Sequence, residues 1–150
     1  MSNFSVTVLL YWSLRASSAS RNAFGLSIVA PSNVIVERYL PHSLLLPMCA
    51  LVISHGGAGT MLAALSRGLP LLTVPQGADQ YVNAEACSRR GVGRTVVTGD
   101  LTPARVGTEV RTLLGDPGYR THAQEVQAEI AAMPAPEDMV GTLHYHAAHE

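Results

Sequence analysis

The sequence contains no lysine and no cluster of positive charge. All ten basic side chains are arginines, they are scattered along the chain, and the formal net charge of the 150 residues is −1. Proteins that bind nucleic acids through the phosphate backbone usually carry a basic patch or stripe. We therefore expect no nucleic-acid partner.

Charged residues are also scarce, at 14%, whereas hydrophobic residues make up 47% of the chain. This composition is typical of a globular protein with a large core and excludes an extensively disordered chain. A length of 150 residues is sufficient for one domain with a substantial core.

Only two cysteines are present, Cys49 and Cys87, and they form no CxxC motif. Each lies within an apolar or helical stretch, so we expect buried, reduced thiols in a cytoplasmic protein. Three histidines, His144, His146 and His149, lie near the C-terminus without carboxylates at a spacing that would complete a metal site. We expect no metal site there and no cofactor.

No apolar run is long enough to span a bilayer. Residues 4–12 are apolar and precede small residues, which loosely resembles a signal peptide, but no positive charge precedes the run. We favour a strand or a disordered extension for this segment over a signal peptide.

Short apolar runs alternate with helical patterns along most of the chain. This alternation predicts an α/β fold in which helices flank a parallel, Rossmann-like sheet. Predicted strands are 33–40, 50–54, 69–74 and 94–97, and predicted helices are 42–47, 58–67, 80–90, 102–114 and 116–132.

Local signals mark the ends of several predicted helices. Thr102 and Asp116 each precede a proline, as expected for an N-cap followed by proline at the first helical position. Gly68 suits the end of the helix that begins near residue 58. Ser43 is the expected cap of the short helix, which Pro47 should end.

Glycines follow the strand at 50–54, in the motif His55-Gly56-Gly57-Ala58-Gly59-Thr60. A strand, a glycine-rich turn and a helix N-terminus together favour anion binding, because the first N–H groups of the helix lack partners and its dipole attracts negative charge. The motif therefore indicates a diphosphate site. A plain tight turn is the alternative.

Asp79 and Gln80 follow the next predicted strand. Ligands of parallel sheets bind beyond the carboxyl ends of the strands, so both loops should lie at one edge. A carboxylate beside an amide suits sugar hydroxyl groups. Asp79 as an N-cap of the helix at 80–90, and Thr60 as a cap of its own first turn, are the structural alternatives.

Taken together, these motifs resemble the donor-binding C-terminal half of a family 1 glycosyltransferase of the GT-B fold, close to bacterial macrolide and antibiotic enzymes. The order and spacing of all the pieces carry the resemblance. They are Asn33-Val34, Tyr39-Leu40-Pro41-His42, the glycine motif, Gly68-Leu69-Pro70, Pro75-Gln76-Gly77-Ala78-Asp79-Gln80 and Asn83-Ala84.

The resemblance implies roles for individual residues. His55 and the N–H groups of residues 57–60 would hold the diphosphate of a nucleotide-sugar, and Thr60 would add its hydroxyl. Asp79 and Gln80 would bind sugar hydroxyls. Tyr39 would lie near the base, with a core position as the structural alternative, and Leu40 would offer backbone groups there. His42 would contact the base from a position where relatives often have glutamine.

One departure concerns the nucleotide. Related enzymes often carry a glutamate eight residues after the motif histidine, where it holds the ribose hydroxyls, and this chain has Ala63. A 2′-deoxyribose needs less of this grip. The resemblance therefore favours a dTDP-sugar over a UDP-sugar as donor.

We assign residues 31–133 to the donor-binding domain, 1–30 to an atypical N-terminal segment and 134–150 to a tail. In this family the histidine base that activates the acceptor lies in the other half, which the chain does not resemble. Two functions follow. The chain is a glycosyltransferase half that works with an acceptor-binding N-terminal half on a small-molecule acceptor, or it is a non-catalytic nucleotide-sugar-binding module or inactive fragment.

Overall fold

The computed structural model describes residues 8–11, 41–135 and 137–140, and within them four strands form one parallel sheet. The strands are β1 (Val8–Tyr11), β2 (Leu51–Ser54), β3 (Leu71–Thr73) and β4 (Gly93–Thr95), in the spatial order β1-β2-β3-β4. Val52 aligns with Leu71, and Leu71 aligns with Gly93. Neighbouring parallel strands need a crossover, and a helix supplies it between β2 and β3 and between β3 and β4.

The sheet is accompanied by α1 (His42–Leu45), α2 (Ala58–Leu65), α3 (Gln80–Arg89), α4 (Pro103–Gly115) and α5 (Pro117–Ala131), and residues 137–140 are also helical. Two short 3₁₀ turns, Leu46–Met48 and Thr98–Asp100, complete the regular structure. The predicted α/β class with a parallel sheet is confirmed. No described helix is long and apolar enough to cross a membrane.

The sheet is covered on both faces, and alternate strand residues point to different cores. On one face, Val52 and Leu71 pack with residues of α2, α3 and α5, including Ala64, Cys87 and Ala123. On the other, Leu113 of α4 packs with apolar residues in the strands or just beyond them; these are Leu51, Ile53, Leu72, Val74 and Val96. This burial explains why β2 and β3 are mostly apolar.

The ends of α4 and α5 follow the predicted local signals. The Thr102 hydroxyl accepts a hydrogen bond from the Arg105 N–H at 3.2 Å, and the Asp116 carboxylate accepts one from the Gly118 N–H at 2.8 Å. Gly68 adopts a φ of +61° just after α2, where its N–H donates to the Leu65 carbonyl. The local signals therefore place the starts of α4 and α5 correctly. The end of α2 is misplaced, since the helix ends at Leu65 with Ser66 as its C-cap, before the predicted end near residue 67.

Several expected boundaries are wrong. Ser43 does not cap α1, which begins after Pro41 without a side-chain cap, and Pro47 lies inside the following 3₁₀ turn. Proline is tolerated there because the first N–H groups of a helical turn need no partner. The strands β2 to β4 are also shorter than predicted. Around β3 the flanking residues Leu69, Pro70 and Val74 are buried although they lie outside the strand.

The N-terminal segment contributes a strand, one of the two structures expected for it. β1 pairs with β2 in parallel, with Val8 opposite Leu51. It lies before the domain start that we predicted at residue 31, and that boundary stays a prediction. The strand predicted at 33–40 and the tail histidines lie outside the described residues.

An ion-pair cluster joins β4 to α4 and α5. Glu109 is 2% exposed, and its carboxylate accepts a hydrogen bond from Arg94 and forms an ion pair with Arg105 at 2.9 Å. Arg94 also donates to the Tyr119 hydroxyl at 3.0 Å. These bonds, first that to Glu109, raise the pKa of the Arg94 guanidinium and keep it charged. A buried carboxylate with two cationic partners satisfies the usual requirement for burying charge.

Candidate functional site

The turn between β2 and α2 contains the first half of the site. Gly56 has a φ of +87°, a backbone conformation that side chains disfavour, and its N–H donates to the buried Ser54 hydroxyl at 3.2 Å. This geometry requires glycine at position 56 and uses its N–H internally. Gly56 therefore shapes the turn and offers no free N–H to a ligand.

The next four N–H groups are different. The first α-helical bond of α2 runs from the Met61 N–H to the Gly57 carbonyl at 3.1 Å. Within the described part of the chain, no acceptor receives the N–H groups of Gly57, Ala58, Gly59 or Thr60. Four such donors at the positive end of a helix dipole form the local arrangement expected for an anion site.

The His55 imidazole lies against this N-terminus. An added Cβ on Gly57 would come within 2.6 Å of His55 Nε2, so glycine at 57 is what lets the ring lie there. His55 is partly exposed. The ring and the backbone donors therefore converge at the start of α2.

The surface of α2 beside these donors is open. Ala58 and Gly59 are exposed, and no atom lies within 4 Å of a Cβ built on Gly59. Thr60 is buried, and its hydroxyl makes no hydrogen bond to any residue that the structure describes. The predicted alternative, in which Thr60 caps its own first turn, is not observed. Gly57 occupies the N-cap without a side-chain cap.

The second loop joins β3 to α3 at the same edge of the sheet. Ala78 has a φ of +51°, which is uncommon for a residue with a side chain, and Asp79 and Gln80 follow it. Asp79 occupies the N-cap position of α3, but its carboxylate makes no capping bond to the helix backbone. The structural alternative for Asp79 therefore holds for its position and not for its side chain.

Asn83 connects the two loops. Its side-chain nitrogen donates to the Gly56 carbonyl at 3.0 Å and to Asp79 Oδ2 at 3.0 Å. Asn83 belongs to the motif, but the sequence alone indicates no role for it. Its offset of four residues from Asp79 on a helix was the available sequence signal, but its contact with Gly56 spans 27 positions and is not readable from the sequence.

Gln80 is held by its own loop. Its side-chain oxygen accepts a hydrogen bond from the Gln76 N–H at 2.8 Å. Since a backbone N–H can only donate, the amide oxygen must be the atom that faces Gln76. The NH₂ group of Gln80 is then the end that remains for other partners. Asp79 offers acceptor atoms beside it.

Of the three residues predicted to contact the base, the structure describes His42. Tyr39 and Leu40 lie outside the described residues. His42 is the first residue of α1 and is partly exposed. The base-binding roles of these three residues stay predictions. Among the described residues, no group of three or more His, Cys, Asp or Glu side chains is arranged to hold a metal ion.

The chain is similar in sequence to a known protein family and to known enzymes. Residues 19–145 match the family described as Erythromycin biosynthesis protein CIII-like, C-terminal domain. The elloramycin glycosyltransferase ElmGT of Streptomyces olivaceus is 39% identical over 114 residues, which are 76% of this chain and 28% of that enzyme.

Two solved structures resemble the chain in both fold and sequence. The spinosyn forosaminyltransferase SpnP is 32% identical with a TM-score of 0.75, covering 79% of this chain and 32% of its own. The glycosyltransferase VinC, solved in complex with dTDP, is 35% identical with a TM-score of 0.75, covering 80% and 30%.

This chain therefore spans about a third or less of each relative. The match covers most of the chain and joins the sequence motif to the fold. The protein belongs to the family of erythromycin biosynthesis protein CIII-like C-terminal domains, which relates it to the bacterial antibiotic glycosyltransferases.

Proposed function

We propose that this chain is the donor-binding part of a glycosyltransferase, which transfers a hexosyl or deoxyhexosyl group from a nucleotide-diphosphate sugar to a small-molecule acceptor with inversion. The observation that carries the proposal is the set of four backbone N–H groups at the start of α2, which have no acceptor in the described chain. They lie beside His55 and open onto the bare surface at Gly59.

In the proposed reaction the diphosphate is the leaving group. The acceptor oxygen forms a bond to the anomeric carbon while the bond from that carbon to the diphosphate oxygen breaks. Negative charge grows on the diphosphate as this bond breaks, and the N-terminus of α2 lies where it stabilises such charge. His55 supplies a further donor. The acceptor proton passes to a base in the acceptor-binding part, which this chain does not resemble.

The sugar is held by the second loop in this proposal. Asp79 accepts hydrogen bonds from sugar hydroxyls, and Gln80 donates them through its NH₂ group. The bond from the Gln76 N–H to the Gln80 oxygen supports this division of roles, because it leaves the amide donors directed away from the loop backbone. Thr60 adds a hydroxyl to the diphosphate.

For the nucleotide we propose dTDP over UDP. Ala63 lies on α2, one turn beyond Gly59, and carries no group that can bond ribose hydroxyls. The relative VinC was solved with dTDP, which supports the same choice. Tyr39, Leu40 and His42 are proposed to contact the base.

Calorimetric titration of the 150-residue chain with dTDP, UDP and thymidine tests this proposal. We expect dTDP to bind more tightly than UDP, and thymidine to bind weakly because it lacks the diphosphate. Comparable binding of dTDP and UDP would contradict the nucleotide choice alone. Failure of both diphosphates to bind would contradict the donor site itself.

Transfer needs a second test, because acceptor binding is assigned to another part. The segment of ElmGT that this chain does not cover can be supplied fused to it or as a separate chain. We expect transfer from a dTDP-sugar to that enzyme's acceptor only when both parts are present. Donor binding without any transfer or donor hydrolysis, even in the fusion, would favour the non-catalytic module.

A further inference from the structure

We propose that Asn83 is a positioning residue for the donor, which sets both the direction of the Gly57 N–H and the orientation of the Asp79 carboxylate. This inference rests on the proposed donor site. Asn83 lies in the first turn of α3 and is partly buried. Its side-chain amide hydrogen-bonds to both loops, to Gly56 in the first and to Asp79 in the second.

The identity of the bonding atom follows from its partners. The Gly56 carbonyl and the Asp79 carboxylate can only accept hydrogen bonds, so the atom between them must be the NH₂ group of Asn83. That group has two hydrogens, one for each acceptor. Aspartate or leucine at this position has no donor, although both have nearly the same shape.

The bond to Gly56 determines where the next N–H points. The Gly56 carbonyl and the Gly57 N–H belong to one peptide unit, and every described peptide is trans. In a trans peptide these two groups point in opposite directions. Holding the carbonyl toward α3 therefore directs the Gly57 N–H away from α3, as the first of the four donors at the start of α2.

Glycine makes this restraint necessary. Gly56 and Gly57 have no side chains, so the peptide between them rotates more freely than others. The Gly56 N–H is held by Ser54, which fixes only the preceding peptide. Asn83 supplies the contact that fixes the following one.

The hydrogen bond from Asn83 to Asp79 gives the two carboxylate oxygens different roles. Oδ2 accepts from Asn83, and Asp79 is otherwise exposed at the start of α3. Oδ1 is then the oxygen presented to sugar hydroxyls. Asn83 thus connects the proposed diphosphate-binding and sugar-binding parts of the site through a single side chain.

Binding of two ligands separates these effects. The affinity for dTDP reports on diphosphate binding, and the ratio of the dTDP-glucose and dTDP affinities reports on sugar binding. We expect Asn83→Asp to weaken dTDP binding at least about tenfold and to lower that ratio as well. Asp79→Ala should lower the ratio and leave the dTDP affinity nearly unchanged. Ala86→Asp is the matched control, since it adds the same charge to the exposed side of α3.

Asn83→Ala tests the same role without added charge, and it should lower both quantities to a smaller extent. Unchanged dTDP affinity and an unchanged ratio in folded Asn83 variants would overturn the proposal. Loss of folding in both variants would also overturn it, since the role would then be structural alone. If wild-type protein binds neither ligand, the proposed donor site fails instead of the role of Asn83.

Discussion

Gly59 separates the two interpretations of the glycine motif at the scale of one residue. It lies inside α2 with no atom within 4 Å of the position a Cβ would take. Glycine in a helix costs up to about 1 kcal/mol of stability relative to alanine. A tight turn alone gives no reason for this loss, whereas a diphosphate passing close to the backbone does.

We therefore predict opposite effects of Gly59→Ala on stability and binding. The variant should be up to about 1 kcal/mol more stable toward urea, because alanine favours the helix. Its affinity for dTDP should fall about tenfold or more, because the methyl group occupies the ligand's approach. Urea titration and calorimetry measure the two quantities.

Gly115→Ala provides the matched control. Gly115 is also a helical glycine with open space around it, at the end of α4. This variant should gain stability and keep its dTDP affinity. Undiminished dTDP binding in Gly59→Ala would show that the ligand does not pass over Gly59.

The two cysteines are predicted to be unreactive in the folded protein. Burial raises the pKa of the Cys87 thiol to about 11, and it raises that of Cys49 too. The reactive species is the thiolate, which is scarce at pH 8 for such groups. A chromogenic disulfide reagent should label neither thiol rapidly in native protein and both in guanidinium chloride. Rapid labelling of one native thiol would contradict this.

The same shift has a consequence for stability. The folded Cys87 thiol holds its proton more tightly than the unfolded one, whose pKa is 9.0. Its contribution to the unfolding free energy is therefore complete below about pH 9 and is lost as the pH rises toward 11. Urea midpoints measured between pH 8 and 11 should fall less in Cys87→Ala than in wild type.

Elements were predictable where their signals are local. The caps at Thr102 and Asp116 lie next to the turns they stabilise, so the sequence was sufficient to place α4 and α5. Ser43 failed as a cap because Pro41 already fixes the entry to α1. The ends of β3 were misplaced because burial continues beyond the strand, at Leu69, Pro70 and Val74, and an apolar sequence indicates burial and not strand pairing.

Glu109 shows what a helix pattern cannot predict. A glutamate on an amphipathic helix is normally assigned to the solvent face, yet this one is 2% exposed. Its partner Arg94 comes from β4, 15 positions earlier, and only the packing of α4 on the sheet brings them together. The contact between Asn83 and Gly56 was not predictable for the same reason.

We predict that Glu109→Gln destabilises the protein by about 1–3 kcal/mol, because it weakens the hydrogen bond from Arg94, removes the charge that pairs with Arg105 and leaves Arg94 uncompensated. The urea midpoint measures this loss. Glu125→Gln on the exposed face of α5 is the control and should change stability by less than about 0.5 kcal/mol. Equal effects of the two substitutions would show that the cluster contributes nothing specific.

At the scale of the whole molecule, topology was predictable because alternating strands and helices leave few arrangements. Parallel strands in sequential order place the glycine turn and the loop at Asp79 on one edge, and the contacts of Asn83 show that the two loops meet. The detailed hydrogen bonds were not predictable, since they depend on the distance between α2 and α3. The sequence thus located the candidate site without its internal connections.

Donor binding should stabilise the entire fold, because a site built from two loops of the sheet exists only in the folded chain. A ligand at 100 times its Kd adds about 2.7 kcal/mol to the unfolding free energy. For a domain of this size each kcal/mol raises Tm by about 2–4 °C, so we predict an increase of about 5–10 °C with dTDP. Thermal unfolding followed by circular dichroism measures it. Thymidine at the same concentration should raise Tm far less, and an equal rise with thymidine would place the binding energy on the base and not on the N-terminus of α2.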